Sequence, residues 1–291
     1  MSGATRPGAG PHGSAHGSIP HHERQEALTA DATSLPAEVR EVADELIAAL
    51  GDNLTALLWQ GSYARGEATP ESDHDMVVVL RRVDDVILDR MRDVFAKRTG
   101  WSTFVKSEQE LRQYPATGRL QFHYGCVPLY GAIDAPPFTR ENIFEDIRRF
   151  VVDLNHESRY RLLHGRKHYD SHGDAAFGRV RNARILYYFA KTAVLAMKAR
   201  QLLIEGAYPL TRAGLRSRLS DPVELQIVDT IDRWAELKPQ YEADFIPLAR
   251  MLDAFARKLV SELETRDTGQ GTRRVSPGVS RVSKGKGGRG P

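Results

Sequence analysis

Gly61-Ser62-Tyr63-Ala64-Arg65-Gly66, followed by Ser72-Asp73-His74-Asp75-Met76-Val77-Val78-Val79-Leu80, is the stretch that decides the fold. Immediately upstream, Leu54-Thr55-Ala56-Leu57-Leu58-Trp59-Gln60 is a short apolar run ended by Gly61, the pattern of a buried strand that turns sharply into another element. Gly61 lets the backbone approach a ligand closely. A short helix starting at Ser62 to Arg65 would aim unpaired N–H groups and a positive dipole end into that turn, a position suited to a triphosphate. Asp73 and Asp75 stand two apart at the mouth of a β-branched run, so in a strand they share a face and His74 points the other way. Two carboxylates on one face repel unless a cation lies between them, and Mg²⁺ prefers oxygen ligands together with substrate phosphates. The pair therefore implies a metal and an anionic substrate. Glu71-Ser72-Asp73 is also good turn chemistry, but a turn alone needs neither the preceding Gly-Ser nor the valines that follow.

The order strand, Gly-Ser turn, short helix, Ser-Asp-x-Asp, strand resembles the DNA polymerase β-type nucleotidyltransferase superfamily, in particular its small bacterial members: the aminoglycoside nucleotidyltransferases and the minimal nucleotidyltransferases that partner helical toxin domains. The resemblance covers about thirty residues, with fairly specific order and spacing. It implies that Gly61 and Ser62 hold the triphosphate and that Asp73 and Asp75 bind divalent metal, Mg²⁺ in a two-ion site, with an NTP as donor and ATP the expected one. Ser72 and Arg65 would support the turn or contact phosphate, or serve only as a cap and a surface charge. Active relatives carry a third acid on a later strand. The counterpart strand here, Trp101-Ser102-Thr103-Phe104-Val105-Lys106, has no carboxylate. Glu108 and Glu110 follow it, but Ser107-Glu108-Gln109-Glu110 matches a helix capping box that occupies Glu110. Glu108 is left as the candidate base, against the alternative of a first-turn glutamate that complements the helix dipole.

The rest of the chain divides by pattern. Ser34-Leu35-Pro36 opens a helix in which Val39, Val42, Ala43, Leu46, Ile47 and Leu50 keep helical spacing, and Gly51 stops it. Val86, Ile87, Met91, Val94 and Phe95 mark another amphipathic helix. Cys126 to Gly131 reads as a last strand, placed at a sheet edge by Pro128. After Pro136-Pro137 the strand signals stop and helices follow: Arg140 to His164, Arg179 to Glu205, Pro222 to Leu237 and Tyr241 to Glu264. The expected architecture is an α/β (α+β) nucleotidyltransferase domain with a small mixed sheet over 34–135, then an all-α helical bundle over 138–265. Disordered tails are expected at 1–33 and 266–291.

At 291 residues, 41% apolar and 27% charged, the composition is that of an ordinary soluble chain. No apolar run reaches the ~20 residues that span a bilayer, and the N-terminus has no apolar signal core. The single Cys126 permits no internal disulfide. Cytoplasmic residence is the expectation, with no membrane partner. The net charge of +3 is misleading, because Arg266 to Pro291 holds seven Lys and Arg against one Asp and leaves −3 on the remainder. That basic tail could add weak contact with nucleic acid, although it has no aromatic residue for stacking bases. His12, His16, His21 and His22 are too irregularly spaced for a metal site.

Arg184, Lys191 and Lys198 recur every seven residues and share a helix face with Tyr187 nearby. If that face borders the cleft, Lys191 is a nucleotide-binding candidate; a solvated face fits the spacing equally well. Arg159 and His164 match the R-x4-H arrangement of the HEPN ribonucleases, a weak match taken alone. His164, His168 and His172 straddle Gly165 and loop-like residues, which argues against zinc, and no nucleophile turn supports Ser-His-Asp chemistry. The function expected is Mg²⁺-dependent transfer of a nucleoside monophosphate from an NTP to a hydroxyl or phosphate acceptor, an antibiotic or other small molecule, a protein or an RNA, with release of pyrophosphate. The alternative is a noncatalytic nucleotide-binding or partner-binding module that has lost its third acid.

Overall fold

The computed structural model describes residues 35–69, 72–165 and 175–271. The tail at 1–33 with its histidines, Glu71, His168, His172 and the basic segment beyond Gly271 lie outside the described residues. Elements are labelled in chain order among those described.

Helix α1 (Ala37–Leu50) buries Val39, Val42, Ala43, Leu46 and Leu50 along one stripe and ends at Gly51, φ 51°, the left-handed backbone that glycine adopts without strain. Strand β1 (Leu54–Gln60) runs into a single helical turn, α2 (Gly61–Ala64), and strand β2 (His74–Leu80) follows antiparallel to β1. Helix α3 (Asp85–Phe95), capped by Asp84, carries the chain across to β3 (Trp101–Ser107), which pairs parallel with β2, because parallel neighbours require a crossover. After α4 (Glu108–Arg112) and α5 (Ala116–Tyr124), strand β4 (Val127–Gly131) closes the sheet against β1. Among the described residues the sheet is four-stranded and mixed, in the order β3-β2-β1-β4. Pro128 thus lies on an edge strand, where a missing N–H is harmless.

Both faces of β1 and β2 are covered, which is why these strands read as continuous apolar runs rather than alternating ones. Met76, Val78 and Leu80 join Leu57 and Trp59 under α1 and α3, while Val77 and Val79 meet Leu111, Phe122 and Cys126 on the other face. Val86, expected to face inward, is 60% exposed. The buried stripe of α3 is Ile87, Met91 and Val94, and Val86 sits one residue, about 100°, off that stripe.

The C-terminal half is helical: α6 (Arg140–His164), α7 (Ala175–Glu205), α8 (Arg212–Arg216), α9 (Pro222–Asp232), α10 (Trp234–Ala243) and α11 (Ile246–Gly271). The helix expected from Pro222 to Leu237 breaks at Arg233, whose backbone (φ −107°, ψ 21°) leaves the helical region and turns Trp234 back onto Tyr187. The last helix begins at Ile246, not Tyr241, where Asp244 accepts a hydrogen bond from the Ile246 N–H. It continues to Gly271, past the expected start of the tail. The apolar core of the bundle also takes Ala116 and Leu120 from α5, so its packing begins ahead of Pro136-Pro137. α7, α9 and α11 are tied together by Arg200, Glu224 and Lys258: the guanidinium donates to both carboxylate oxygens at 2.6 and 2.7 Å, and Lys258 to Oε1 at 2.8 Å.

Candidate active site

The register of the sheet sets the site. Gln60 on β1, Asp75 on β2 and Ser102 on β3 stand side by side, so Asp75 lies at the end of the sheet where the chain leaves β1. Gly61 takes φ 86° there, and a Cβ on it would sit 2.0 Å from Asp75 Oδ2. Side chain 61 is absent because the carboxylate of residue 75 occupies its space. Asp73 is exposed and just precedes β2, so the pair straddles the strand's start rather than lying wholly within it. His74 points away, as alternation requires. It is buried between Tyr63 and Trp101, with ring centroids at 3.9 and 4.8 Å, and lies 3.0 Å from Glu38.

Around this turn, Arg65 Nε donates to Glu67 at 3.0 Å. Ser72 Oγ accepts the Thr69 N–H at 2.8 Å, which makes Ser72 a stitch in the loop before β2 as well as a lining residue. Glu67, in turn, accepts the backbone N–H of Arg212 at the start of α8, and its own carbonyl accepts from Arg212 Nη2 at 3.2 Å. That contact joins the turn to the helical half.

Between sheet end and helices lies a cleft of about 440 Å³. Gly61, Ser62, Arg65, Ser72, Asp73 and Asp75 line one side. Lys191, Lys198, Arg212 and an aromatic wall of Tyr187 and Trp234, stacked at 3.9 Å and 16°, line the other. Burial pushes the Asp75 carboxyl above the usual carboxylate range; Lys191 and Arg65 pull against it, Asp73 adds to it, and a hydrogen bond from Ser102 opposes it. A carboxylate that is costly to ionise and faces two cations is poised for a further positive partner. Cys126, behind the sheet, is a free thiol that burial pushes up to about 12, too weakly acidic for a nucleophile.

The structure therefore brings together Gly61, Ser62, Arg65, Ser72, Asp73, Asp75 and Lys191. Glu108 is a correction. β3 runs parallel to β2 with Ser102 beside Asp75 and Ser107 beside Leu80, so Glu108 lies six residues further along, roughly 20 Å from the pair. The neighbour of Asp75 on β3 is the hydroxyl of Ser102. Among the described residues no three His, Cys, Asp or Glu side chains gather as a metal site. Two carboxylates opening onto a cleft suit a hard divalent cation whose remaining ligands come from substrate phosphates. Of the seven-residue stripe, Lys191 and Lys198 reach the cleft, whereas Arg184 lies over the Tyr188 ring at 5.9 Å, outside the lining. Arg159 is ion-paired to Asp253 at 2.8 Å while His164 packs on Tyr160, and neither lines the cleft. The R-x4-H spacing forms no site with it.

Sequence reasoning missed Glu67, Arg212, Asp232 and Trp234. Glu67 follows Arg65-Gly66 directly and could have been included with the turn; the other three are far along the chain with no motif around them.

A mixed sheet that presents a Gly-Ser turn and an Asp-x-Asp pair to one cleft is the arrangement that the sequence resemblance implies. Residues 40–146, the segment that carries the sheet and the acid pair, match the family model described as "nucleotidyltransferase domain". No curated protein matches the chain. Among solved structures, it is similar to spectinomycin adenyltransferase AAD(9) from Enterococcus faecialis, crystallised with ATP and spectinomycin. The identity is 13% and the TM-score 0.43, with 76% of this chain and 98% of that chain covered.

Proposed function

We propose that this protein transfers a nucleoside monophosphate from an NTP, with ATP the expected donor, to a hydroxyl or phosphate oxygen of a small molecule held in the cleft. The observation that carries the reading is Asp75. It is locked against the side-chain-free Gly61, flanked by Asp73, and faced across the cleft by Lys191. The turn from Gly61 to Arg65 receives the phosphates, with Ser62 and Arg65 at hand. Asp73 and Asp75 would hold Mg²⁺, which supplies neutralisation of charge growing on the transferring phosphate. In the reaction the acceptor oxygen bonds to the α-phosphorus, the bond from that phosphorus to the bridging oxygen breaks, pyrophosphate leaves, and the acceptor's proton passes to solvent. Lys191 and Arg65 would orient the triphosphate so that attack and departure lie in line.

A volume of about 440 Å³ is the size of a small-molecule pocket, which favours a small acceptor over a protein surface or an RNA end. The aromatic wall and Asp232 are available to it. No described helix is long and apolar enough to cross a membrane, and a cytoplasmic setting is part of the proposal.

One observation favours a second reading. Ser102 occupies the position beside Asp75 where the family resemblance implies a third acid, and a module without that acid would bind NTP and leave it intact. Pyrophosphate release from each of the four Mg-NTPs, over a panel of aminoglycosides and other small metabolites, separates the two. Turnover with wild type and its loss in Asp73→Ala at an unchanged melting temperature is the outcome expected of a transferase. Calorimetric NTP binding without release under any acceptor would assign the binding module instead.

A further inference from the structure

Lys198 is 4% exposed yet lines the cleft with Ser62, Arg65 and Arg212. Its ammonium donates to the Leu210 carbonyl, and among the described residues no carboxylate forms an ion pair with it. The charged groups that face it are Arg65 and Glu67 from the turn after β1 and Arg212 from α8. Tyr208 and Asp232 lie in the same wall, and Lys191 is seven residues back on the same helix. Glu67 is the only anion of the three facing groups, and it is already engaged by both arginines. A buried amine with one carbonyl partner and two guanidinium neighbours gains little from being charged while the cleft is empty of anion. A polyphosphate reverses that balance, because it brings several negative charges into the same confined space.

We propose that NTP binding draws a proton from solvent onto Lys198, so that the amine becomes an ammonium as the polyphosphate enters and nucleotide affinity is linked to pH. The inference rests on the reading of the cleft as a nucleotide site. Burial pushes Lys198 down to about 7, Arg65 and Arg212 act in the same direction, and Glu67 opposes them. In the free protein the side chain is therefore largely an amine at about pH 8 and largely charged at about pH 6. The sign of the linkage follows: affinity weakens as pH rises through 7, since a proton must then be acquired on binding. Metal capture by Asp75 would release protons, so a net uptake cannot come from it.

The test is calorimetry of Mg²⁺ with α,β-methylene-ATP, which cannot transfer its nucleotide, titrated into the full chain in buffers of different ionisation heat. Wild type should take up close to one proton per nucleotide at about pH 8 and close to none at about pH 6. Lys198→Arg, with a permanently charged side chain, should bind with almost no proton uptake at either pH, and Lys198→Met should lose both the uptake and much of the affinity. Binding by wild type without buffer-dependent heat at pH 8 overturns the proposal, as does uptake that persists undiminished in both variants; the wild-type count needs no variant to fold. Absence of nucleotide binding altogether would overturn the reading of the cleft itself, and the proposal with it.

Discussion

At the residue scale, the site depends on one missing side chain. Gly61 combines a φ of 86° with a position where a Cβ would meet Asp75 Oδ2 at 2.0 Å. Either feature alone restricts the position to glycine; together they place the Gly-Ser turn and the acid pair in one small volume. Gly61→Ala must displace either the turn or the carboxylate, so it should cost about 1–3 kcal/mol of stability and at least roughly a hundredfold in kcat/KM, since misplacing a reacting group by an ångström has that effect. Thermal melting and pyrophosphate release measure the two. An alanine variant with wild-type turnover would show that the close packing against Asp75 is not needed for function. Ser102 teaches the complementary lesson. It reads as an ordinary strand residue until the parallel register sets it beside Asp75, where its hydroxyl favours the ionised carboxylate.

At the element scale, three helices of the C-terminal half are joined by a buried charge cluster. Glu224 on α9 is 2% exposed and is held by Arg200 from α7 and Lys258 from α11 at 2.6 to 2.8 Å. Burial opposes its ionisation, but the hydrogen bonds from Arg200 and Lys258 outweigh that, and its carboxyl is held below the usual range. A lowered folded-state pKa gives stability that is present above the ordinary value of 4.5 and is lost as pH falls through the folded value. Glu224→Ala leaves Arg200 with Glu262 and Lys258 with Asp221 and Glu262, so it should cost about 2 kcal/mol at neutral pH from the lost charge-assisted hydrogen bonds, read as a drop in chemical denaturation midpoint that narrows as pH falls below 4.5. A variant equally destabilised at every pH would mean that packing, not charge, is what Glu224 contributes. One helix boundary missed in this half falls at Arg233, which interrupts a run whose apolar spacing alone continues, and just beyond it Trp234 stacks on Tyr187 of α7.

At the scale of the whole molecule, Glu67 ties the turn after β1 to α8. It is bonded to Arg65 on one side and to the backbone and guanidinium of Arg212 on the other, and Arg212 also reaches Asp232. The two walls of the cleft are thus held at a set spacing. Glu67→Ala should leave both apolar cores intact but loosen the cleft, with a fall in kcat/KM of roughly tenfold to a hundredfold from the loss of charge-assisted hydrogen bonds. Steady-state kinetics beside a thermal melt would check it, and unchanged kinetics would exclude a role for the link in catalysis. The sequence by itself determined the sheet strands, the first helix, the Gly-Ser turn and the acid pair. Each of these is specified within a dozen residues, by apolar runs, by a glycine at a forced φ, and by period-two spacing of carboxylates. Only the tertiary structure decided that Glu108 is remote and Ser102 adjacent, that Lys191 and Lys198 face the acids while Arg184 does not, and that Glu67, Arg212 and Trp234 belong to the site. Helical spacing places a residue on a face without saying what that face meets, and strand register between segments far apart in the chain is set by packing that no local pattern encodes.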